Sequence, residues 1–96
     1  MQRITLIEDE LFVRDLYERV LKQAGFEIVS AADGEAGWQL VKDQSQKGEK
    51  SDLILLDIMM PKLNGIEVLR RLKDDINLFK GDYFQPAYYR IALLAL

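Results

Sequence analysis

The chain has 96 residues and a formal net charge of −3, with 49% hydrophobic and 30% charged residues. This length and composition are typical of one small globular domain, and they exclude a multi-domain enzyme and a disordered chain. The sequence contains no cysteine and no histidine, which excludes disulfides, thiolate or imidazole metal sites, and histidine-based catalytic triads. The acidic charge argues against direct nucleic-acid binding. Carboxylates are the groups left for chemistry.

Targeting and membrane segments are not indicated by the sequence. The longest strictly apolar run, at 91–96, is far shorter than the roughly 20 residues that cross a bilayer. The start of the chain becomes acidic within the first ten residues, unlike a signal peptide. We therefore expect a cytoplasmic protein without membrane contact. The lack of cysteine is compatible with this location.

The first third of the chain predicts a strand, a helix and a second strand. Residues 4–7 are a short apolar run followed by the acidic residues 8–10, as in a strand with a polar end. Gly25 then follows a stretch with apolar residues three and four positions apart, which predicts an amphipathic helix whose buried stripe is Val13, Leu16, Tyr17, Val20, Leu21 and Ala24. Residues 26–31 predict the second strand.

The middle of the chain repeats this alternation. Asp33 can cap a helix whose apolar residues are Ala36, Trp38, Leu40 and Val41. We expect a polar loop over residues 43–52 and a fully buried strand over 53–56. Asn64 can cap a third helix, in which Ile66, Leu69 and Leu72 point inward and Arg70, Arg71 and Lys73 point outward.

Alternating strands and helices predict a three-layer α/β domain with a parallel sheet. The handedness of such connections places strand 1 between strands 2 and 3, and ligands bind at the carboxyl ends of these strands. The last part, residues 76–96, is aromatic and irregular at its start, with Phe79, Tyr83, Phe84, Tyr88 and Tyr89. These aromatic residues either patch the core or form a surface for a partner. Residues 89–95 fit a fourth strand or a short helix, and we favour the strand because it balances the sheet.

Carboxylates follow the two strands that are predicted to be neighbours. Glu8 and Asp9 follow strand 1, and Asp57 follows strand 3, so parallel pairing brings them to one edge of the sheet. Unit charges about 4 Å apart repel by roughly 4 kcal/mol at an effective dielectric constant of 20. Such a site needs a proton or a cation, and oxygen ligands favour Mg²⁺. A carboxylate can also act as a nucleophile towards phosphorus.

Three segments make the chain resemble the receiver domain of two-component response regulators. They are LIEDE at 6–10, AADGEAGW at 31–38 and LILLDIMMPKLNGIEVL at 53–69. The resemblance extends from residue 2 to about residue 75, so that 1–75 would form the receiver-like core and 76–96 a divergent segment. It implies a flavodoxin-like sheet in the order 2-1-3 with a possible strand 4, and a signalling module rather than an enzyme.

The resemblance also assigns roles to residues. Asp57 would be the phosphoacceptor, and Mg²⁺ would be held by Glu8, Asp9, Asp57 and the backbone carbonyl of Met59. Pro61 and Gly65 would shape the loop that leads into the third helix. The phosphodonor would be a histidine kinase or a phosphotransfer protein.

The chain departs from the family pattern after residue 75. It has no Ser or Thr after Ser51, and the fourth-strand pattern puts Leu94 where the family has a switch hydroxyl. Lys80 is the last lysine and precedes the candidate strand, so no switch lysine is expected. We therefore expect a truncated receiver without the fifth strand and the last helices.

The sequence leaves two functions open, one favoured by the intact acidic triad and the other by the absent switch residues. The first is a phosphorelay receiver that uses Mg²⁺ and Asp57. The alternative is a degenerate receiver that acts, without phosphorylation, as an interaction or oligomerisation unit. Because a bare edge strand or a swapped segment drives association, we also expect a homo-oligomer.

Overall fold

The computed structural model describes residues 2–49, 51–60, 64–78 and 90–94. Strands and helices alternate along the chain, in the order β1 (Arg3–Ile7), α1 (Leu11–Gln23), β2 (Glu27–Ala31), α2 (Gly34–Lys47), β3 (Leu53–Asp57), α3 (Gly65–Leu78) and β4 (Arg90–Leu94). Pro61, Lys80 and the aromatic residues predicted between 79 and 89 lie outside the described residues. No helix in the described part of the chain is both long enough and apolar enough to cross a membrane.

The four described strands form one parallel sheet in the order β2-β1-β3-β4. This confirms the predicted order, and residues 90–94 form the favoured strand rather than a helix. Since successive residues of a strand face opposite sides, β1 contributes Ile4 and Leu6 to one core and Ile7 to the other. The first core also receives Tyr17 of α1, whereas Val41 of α2 and Val68 of α3 pack in the second. The result is the predicted three-layer domain.

The predicted buried stripe of α1 is only partly correct. Tyr17 and Leu21 pack against the sheet, but Leu16 and Val20 are 55% and 54% exposed, and Ala24 is also exposed. The helix packs mainly over β2 at one side of the sheet, so only a narrow stripe of it meets sheet residues. Gly25 has φ +95°, as expected for the glycine after a helix.

The predicted loop at 43–52 is wrong in its first half, because α2 continues to Lys47. Gln44 explains the extension. Its side chain is 5% exposed, and its Oε1 accepts hydrogen bonds from the Thr5 hydroxyl (3.2 Å) and the Ser51 hydroxyl (3.3 Å). Gln44, although it lies in a polar stretch of the sequence, therefore anchors α2 on the sheet. The helix begins as predicted, with Asp33 Oδ1 accepting from the Ala36 amide at 2.8 Å.

The third helix begins at the predicted cap, where Asn64 Oδ1 accepts from the Glu67 amide at 3.0 Å. The prediction for Ile66 is wrong, because this side chain is 47% exposed while Val68 is fully buried. The face that carries Val68 points inward because α3 packs on α2 as well as on the sheet. Arg71 is half-buried and not simply outward, since it pairs with Glu35 of α2 at 3.0 Å. The predicted orientations of Leu72 and Lys73 lie outside the described side chains.

Candidate functional site

Three carboxylates converge at the carboxyl edge of the sheet. Glu8 comes directly after β1, Asp57 is the last residue of β3, and Ile7 and Leu56 just before them are paired. One carboxylate oxygen from each of Glu8, Asp9 and Asp57 lies within 4.8 Å of the other two. Glu8 is 1% exposed and Asp57 4%, while Asp9 is half-buried. The structure thus brings together the acidic residues that the sequence singled out.

The backbone around Glu8 is held from two neighbouring elements. The Glu8 amide donates to the Ala31 carbonyl at the end of β2 (3.1 Å), and the Glu8 carbonyl accepts from Arg14 Nη1 on α1 (2.9 Å). The carboxylate itself accepts from the Glu10 amide through Oε2 (3.3 Å). These bonds fix the turn between β1 and α1, and with it the position from which the Glu8 side chain extends.

The loop after β3 is held close to Asp57. Asp57 Oδ1 accepts from the Met59 amide at 3.0 Å, and the Gly65 amide donates to the Ile58 carbonyl at 3.0 Å. A Cβ at Gly65 would collide with the Asp57 carbonyl oxygen and come within 2.7 Å of Ile58 Cα. Glycine is needed here because α3 begins directly against the backbone of β3. The Met59 side chain is 70% exposed, and the role of its carbonyl as a metal ligand stays a prediction.

Electrostatics favour one proton or one cation in this cluster. Burial, followed by the neighbouring Asp57 carboxyl group, raises the pKa of Glu8 from its usual 4.5 to about 7, against a smaller lowering by the Glu10 amide. Glu8 Oε1 is buried and has no hydrogen-bond partner among the described residues. A buried acceptor without a donor is costly, and a hard cation would satisfy it. The donor set of carboxylate oxygens fits Mg²⁺.

β4 brings the predicted switch position to the site. Leu94 pairs with Asp57 in the parallel register of β3 and β4, so the predicted hydroxyl position would lie on the strand next to the predicted phosphoacceptor. The chain has leucine there. The structure describes the backbone pairing of Leu94, and its functional role stays a prediction.

Sequence reasoning missed Arg14, although a signal was present. Arg14 lies in the first turn of α1, where the helix dipole disfavours a cation by about 0.3–1 kcal/mol. A basic residue at such a position indicates a specific contact, and the structure supplies one at the Glu8 carbonyl.

A family model for the response regulator receiver domain matches residues 4–79. Among curated relatives, the chain is 37% identical over 78 residues to the alkaline phosphatase synthesis transcriptional regulatory protein PhoP of Bacillus subtilis (strain 168), covering 81% of this chain and 30% of that protein. It is 38% identical over 73 residues to the transcriptional regulatory protein CpxR of Escherichia coli (strain K12), covering 76% of this chain and 29% of that protein. The chain therefore spans about three tenths of the length of these relatives.

Solved structures show the same fold. The CheY-like response regulator receiver domain protein of Methanospirillum hungatei JF-1 superposes with a TM-score of 0.71 at 29% identity, covering 98% of this chain and 63% of that one. The receiver domain protein of Clostridium thermocellum, at 21% identity, gives a TM-score of 0.77 over 99% of this chain and 65% of that one.

Proposed function

Because the chain belongs to the response regulator receiver domain family, we propose that it accepts a phosphoryl group on Asp57 in two-component signalling. The observation that carries the proposal is the convergence of Glu8, Asp9 and Asp57, with their ligand atoms within 4.8 Å of one another. Receiver domains are signalling modules that interact with histidine kinases or phosphotransfer proteins. The proposed phosphodonor is therefore a phosphohistidine on such a partner.

The residues that would hold Mg²⁺ are Glu8, Asp9, Asp57 and the backbone carbonyl of Met59. The fit is supported by the buried Glu8 Oε1, which has no donor among the described residues, and by a set of oxygen ligands only. When bound, Mg²⁺ supplies positive charge that offsets the negative charge of the transferring phosphoryl group.

The protein's own residues prepare Asp57 for this transfer. The Met59 amide holds Oδ1 at 3.0 Å, which orients the carboxylate at the end of β3. An Asp57 oxygen forms a bond to phosphorus as the bond from phosphorus to the histidine nitrogen breaks, and the released imidazole takes up a proton from solvent. Glu8 and Asp9 flank the carboxylate, and burial of Glu8 and Asp57 limits access of water to the acyl phosphate.

Beryllofluoride with Mg²⁺ tests the proposal, because it forms a stable mimic of an aspartyl phosphate. Native mass spectrometry should show one adduct on the wild-type protein that depends on Mg²⁺ and that disappears in Asp57→Asn. Asp15→Asn, which neutralises an exposed aspartate on α1, is the matched control and should keep the adduct. Acetyl phosphate should add the mass of one phosphoryl group with the same dependence. An unmodified wild-type protein at saturating Mg²⁺ would overturn the proposal.

Homo-oligomerisation through β4 or a swapped segment stays a prediction. Light scattering of the wild-type protein, with and without beryllofluoride, measures the mass in solution. A larger mass that persists in Asp57→Asn, together with no adduct on the wild-type protein, would favour the non-phosphorylated interaction unit instead.

A further inference from the structure

Arg14 is joined to the candidate metal site through the backbone rather than through a carboxylate. Its Nη1 donates to the Glu8 carbonyl at 2.9 Å, and the residue is half-buried. That carbonyl belongs to the peptide group that links Glu8 to Asp9. Within the part of the chain that the structure describes, Arg14 forms no ion pair with Glu8, Asp9 or Asp57.

The peptide group between the two acidic residues decides where both side chains point. A peptide group is planar, so fixing its carbonyl restrains the ψ angle of Glu8 and the φ angle of Asp9 together. The Glu8 amide is already fixed by the Ala31 carbonyl at 3.1 Å. Arg14 therefore supplies the second restraint on this segment, from α1, while the first comes from β2.

The location of Arg14 has a cost that this contact offsets. A cation in the first turn of a helix opposes the helix dipole, and partial burial removes some of its hydration. A hydrogen bond from a charged donor is worth roughly twice a neutral one. Because the bond is made to a carbonyl, the carboxylate oxygens stay available to a cation.

We propose that Arg14 is a positioning residue for Mg²⁺: its bond to the Glu8 carbonyl holds Glu8 and Asp9 in the directions that let their carboxylates converge with Asp57. The inference rests on the proposed function, since it assumes that this cluster binds the metal. Residues that orient metal ligands typically change metal affinity about 10–100-fold when they are replaced.

The direction in which Mg²⁺ affinity changes when Arg14 is replaced distinguishes a positioning role from a purely electrostatic one. Removing a cation near an acidic site should strengthen Mg²⁺ binding if only long-range electrostatics matter. Loss of a positioning bond should weaken it. Calorimetric titration with Mg²⁺ on the full chain therefore distinguishes the two roles.

Three variants make the test. Arg14→Met removes the donor but keeps an apolar stem, and should weaken Mg²⁺ binding about tenfold. Arg14→Lys keeps a donor and should fall between Arg14→Met and the wild-type protein. Arg19→Met makes the same charge change at an exposed position of α1, and should leave the Mg²⁺ affinity within about twofold of wild type, since exposed charges are well screened.

Wild-type or tighter Mg²⁺ binding in a folded Arg14→Met would overturn the role of Arg14. Thermal unfolding without metal establishes which variants are folded. If Arg14→Met is unfolded, Arg14→Lys decides: weaker binding than wild type supports the inference, and equal or tighter binding overturns it. A wild-type protein that binds no Mg²⁺ overturns the proposed function itself, which is a separate result.

Discussion

The carboxyl groups of Glu8, directly after β1, and Asp57, at the end of the neighbouring β3, lie with an oxygen of each within 4.8 Å of the other and are almost completely buried. Ionising two buried carboxyl groups this close to each other costs free energy unless a cation compensates their charge. A proton satisfies the pair near neutral pH, and a divalent cation would satisfy it in the same place. A proton and a divalent cation would therefore compete for one site.

The first prediction concerns this competition. Because burial and Asp57 raise the pKa of Glu8 to about 7, a proton must leave before the carboxylates can bind a cation. The apparent affinity for Mg²⁺ should therefore rise as pH increases through 7 and level off above it. Calorimetric titrations at pH 6, 7 and 8 measure the effect, and release of protons on binding should be largest below pH 7. An affinity that does not change with pH would contradict this assignment.

Glu8→Gln provides the matched variant for the same pair. Its neutral amide cannot ionise, and it should lose Mg²⁺ binding. In the wild-type protein without metal, the raised pKa of Glu8 gives stability that is complete below pH 4.5 and is lost as pH rises through about 7.

Above pH 7, Glu8→Gln should therefore exceed the metal-free wild-type protein in free energy of unfolding, by on the order of 2 kcal/mol. Urea unfolding at pH 5 and pH 8 measures this difference. Glu10→Gln, at the exposed N-cap of α1, should show no such dependence. A lower stability of Glu8→Gln at pH 8 would contradict the prediction.

The second prediction concerns the start of α3. Gly65→Ala should lower the free energy of unfolding by about 2 kcal/mol, because the added methyl group meets the backbone of Asp57 and Ile58. It should also weaken Mg²⁺ binding by displacing Asp57.

Gly48→Ala is the control, since its added Cβ would meet no atom within 4 Å but the residue has φ +72°. It should cost about 1–2 kcal/mol through strain and leave the Mg²⁺ affinity unchanged. Equal metal affinities in both variants would argue against a tight link between Gly65 and the site.

The third prediction uses the register of β3 and β4. Leu94→Thr places a hydroxyl on the residue that pairs with Asp57, the position predicted for the family's switch hydroxyl. A positioned donor to the phosphoryl oxygens should tighten beryllofluoride binding about tenfold, as read from adduct occupancy in native mass spectrometry. Ala92→Thr, two residues earlier on the same strand and opposite Leu55, should bring no gain. An equal gain in both variants would show that the register is not the cause.

The fourth prediction concerns the anchor of α2. Gln44→Met should cost about 1–3 kcal/mol in free energy of unfolding, because it removes the acceptor that the buried hydroxyls of Thr5 and Ser51 share and leaves them only the bond to each other. Gln39→Met makes the same change on the exposed side of the helix, where Gln39 bonds only Asp43 among its described contacts. It should stay within about 0.5 kcal/mol of wild type. Chemical denaturation of both variants checks the difference.

Local signals were enough to predict the sheet order and the convergence of the acidic residues. Short apolar runs separated by helical periodicity determine which segments become parallel strands, and parallel strands bring their last residues together. Asp33 and Asn64 were predictable as caps because capping depends on residues only three positions away.

Contacts between distant segments were not predictable in this way. Gln44 looks like a loop residue until Thr5 and Ser51, far from it in sequence, supply its partners. Amphipathic spacing likewise cannot state how much of a helix the sheet covers, so the exposure of Leu16 and Val20 was missed. The contact of Arg14 could not be predicted either, because it depends on the direction of the Glu8 carbonyl in the folded chain.

The hydrogen bond from the Met59 amide makes the two oxygens of Asp57 inequivalent. In solution the oxygens of a carboxylate exchange roles by rotation of one bond. In this protein the Met59 amide donates to Oδ1, so Oδ2 would be the oxygen left to form the bond to phosphorus in the proposed transfer. The phosphoryl group would then be attached to the same carboxylate oxygen in every molecule. The acyl phosphate would extend from the end of β3 in one direction.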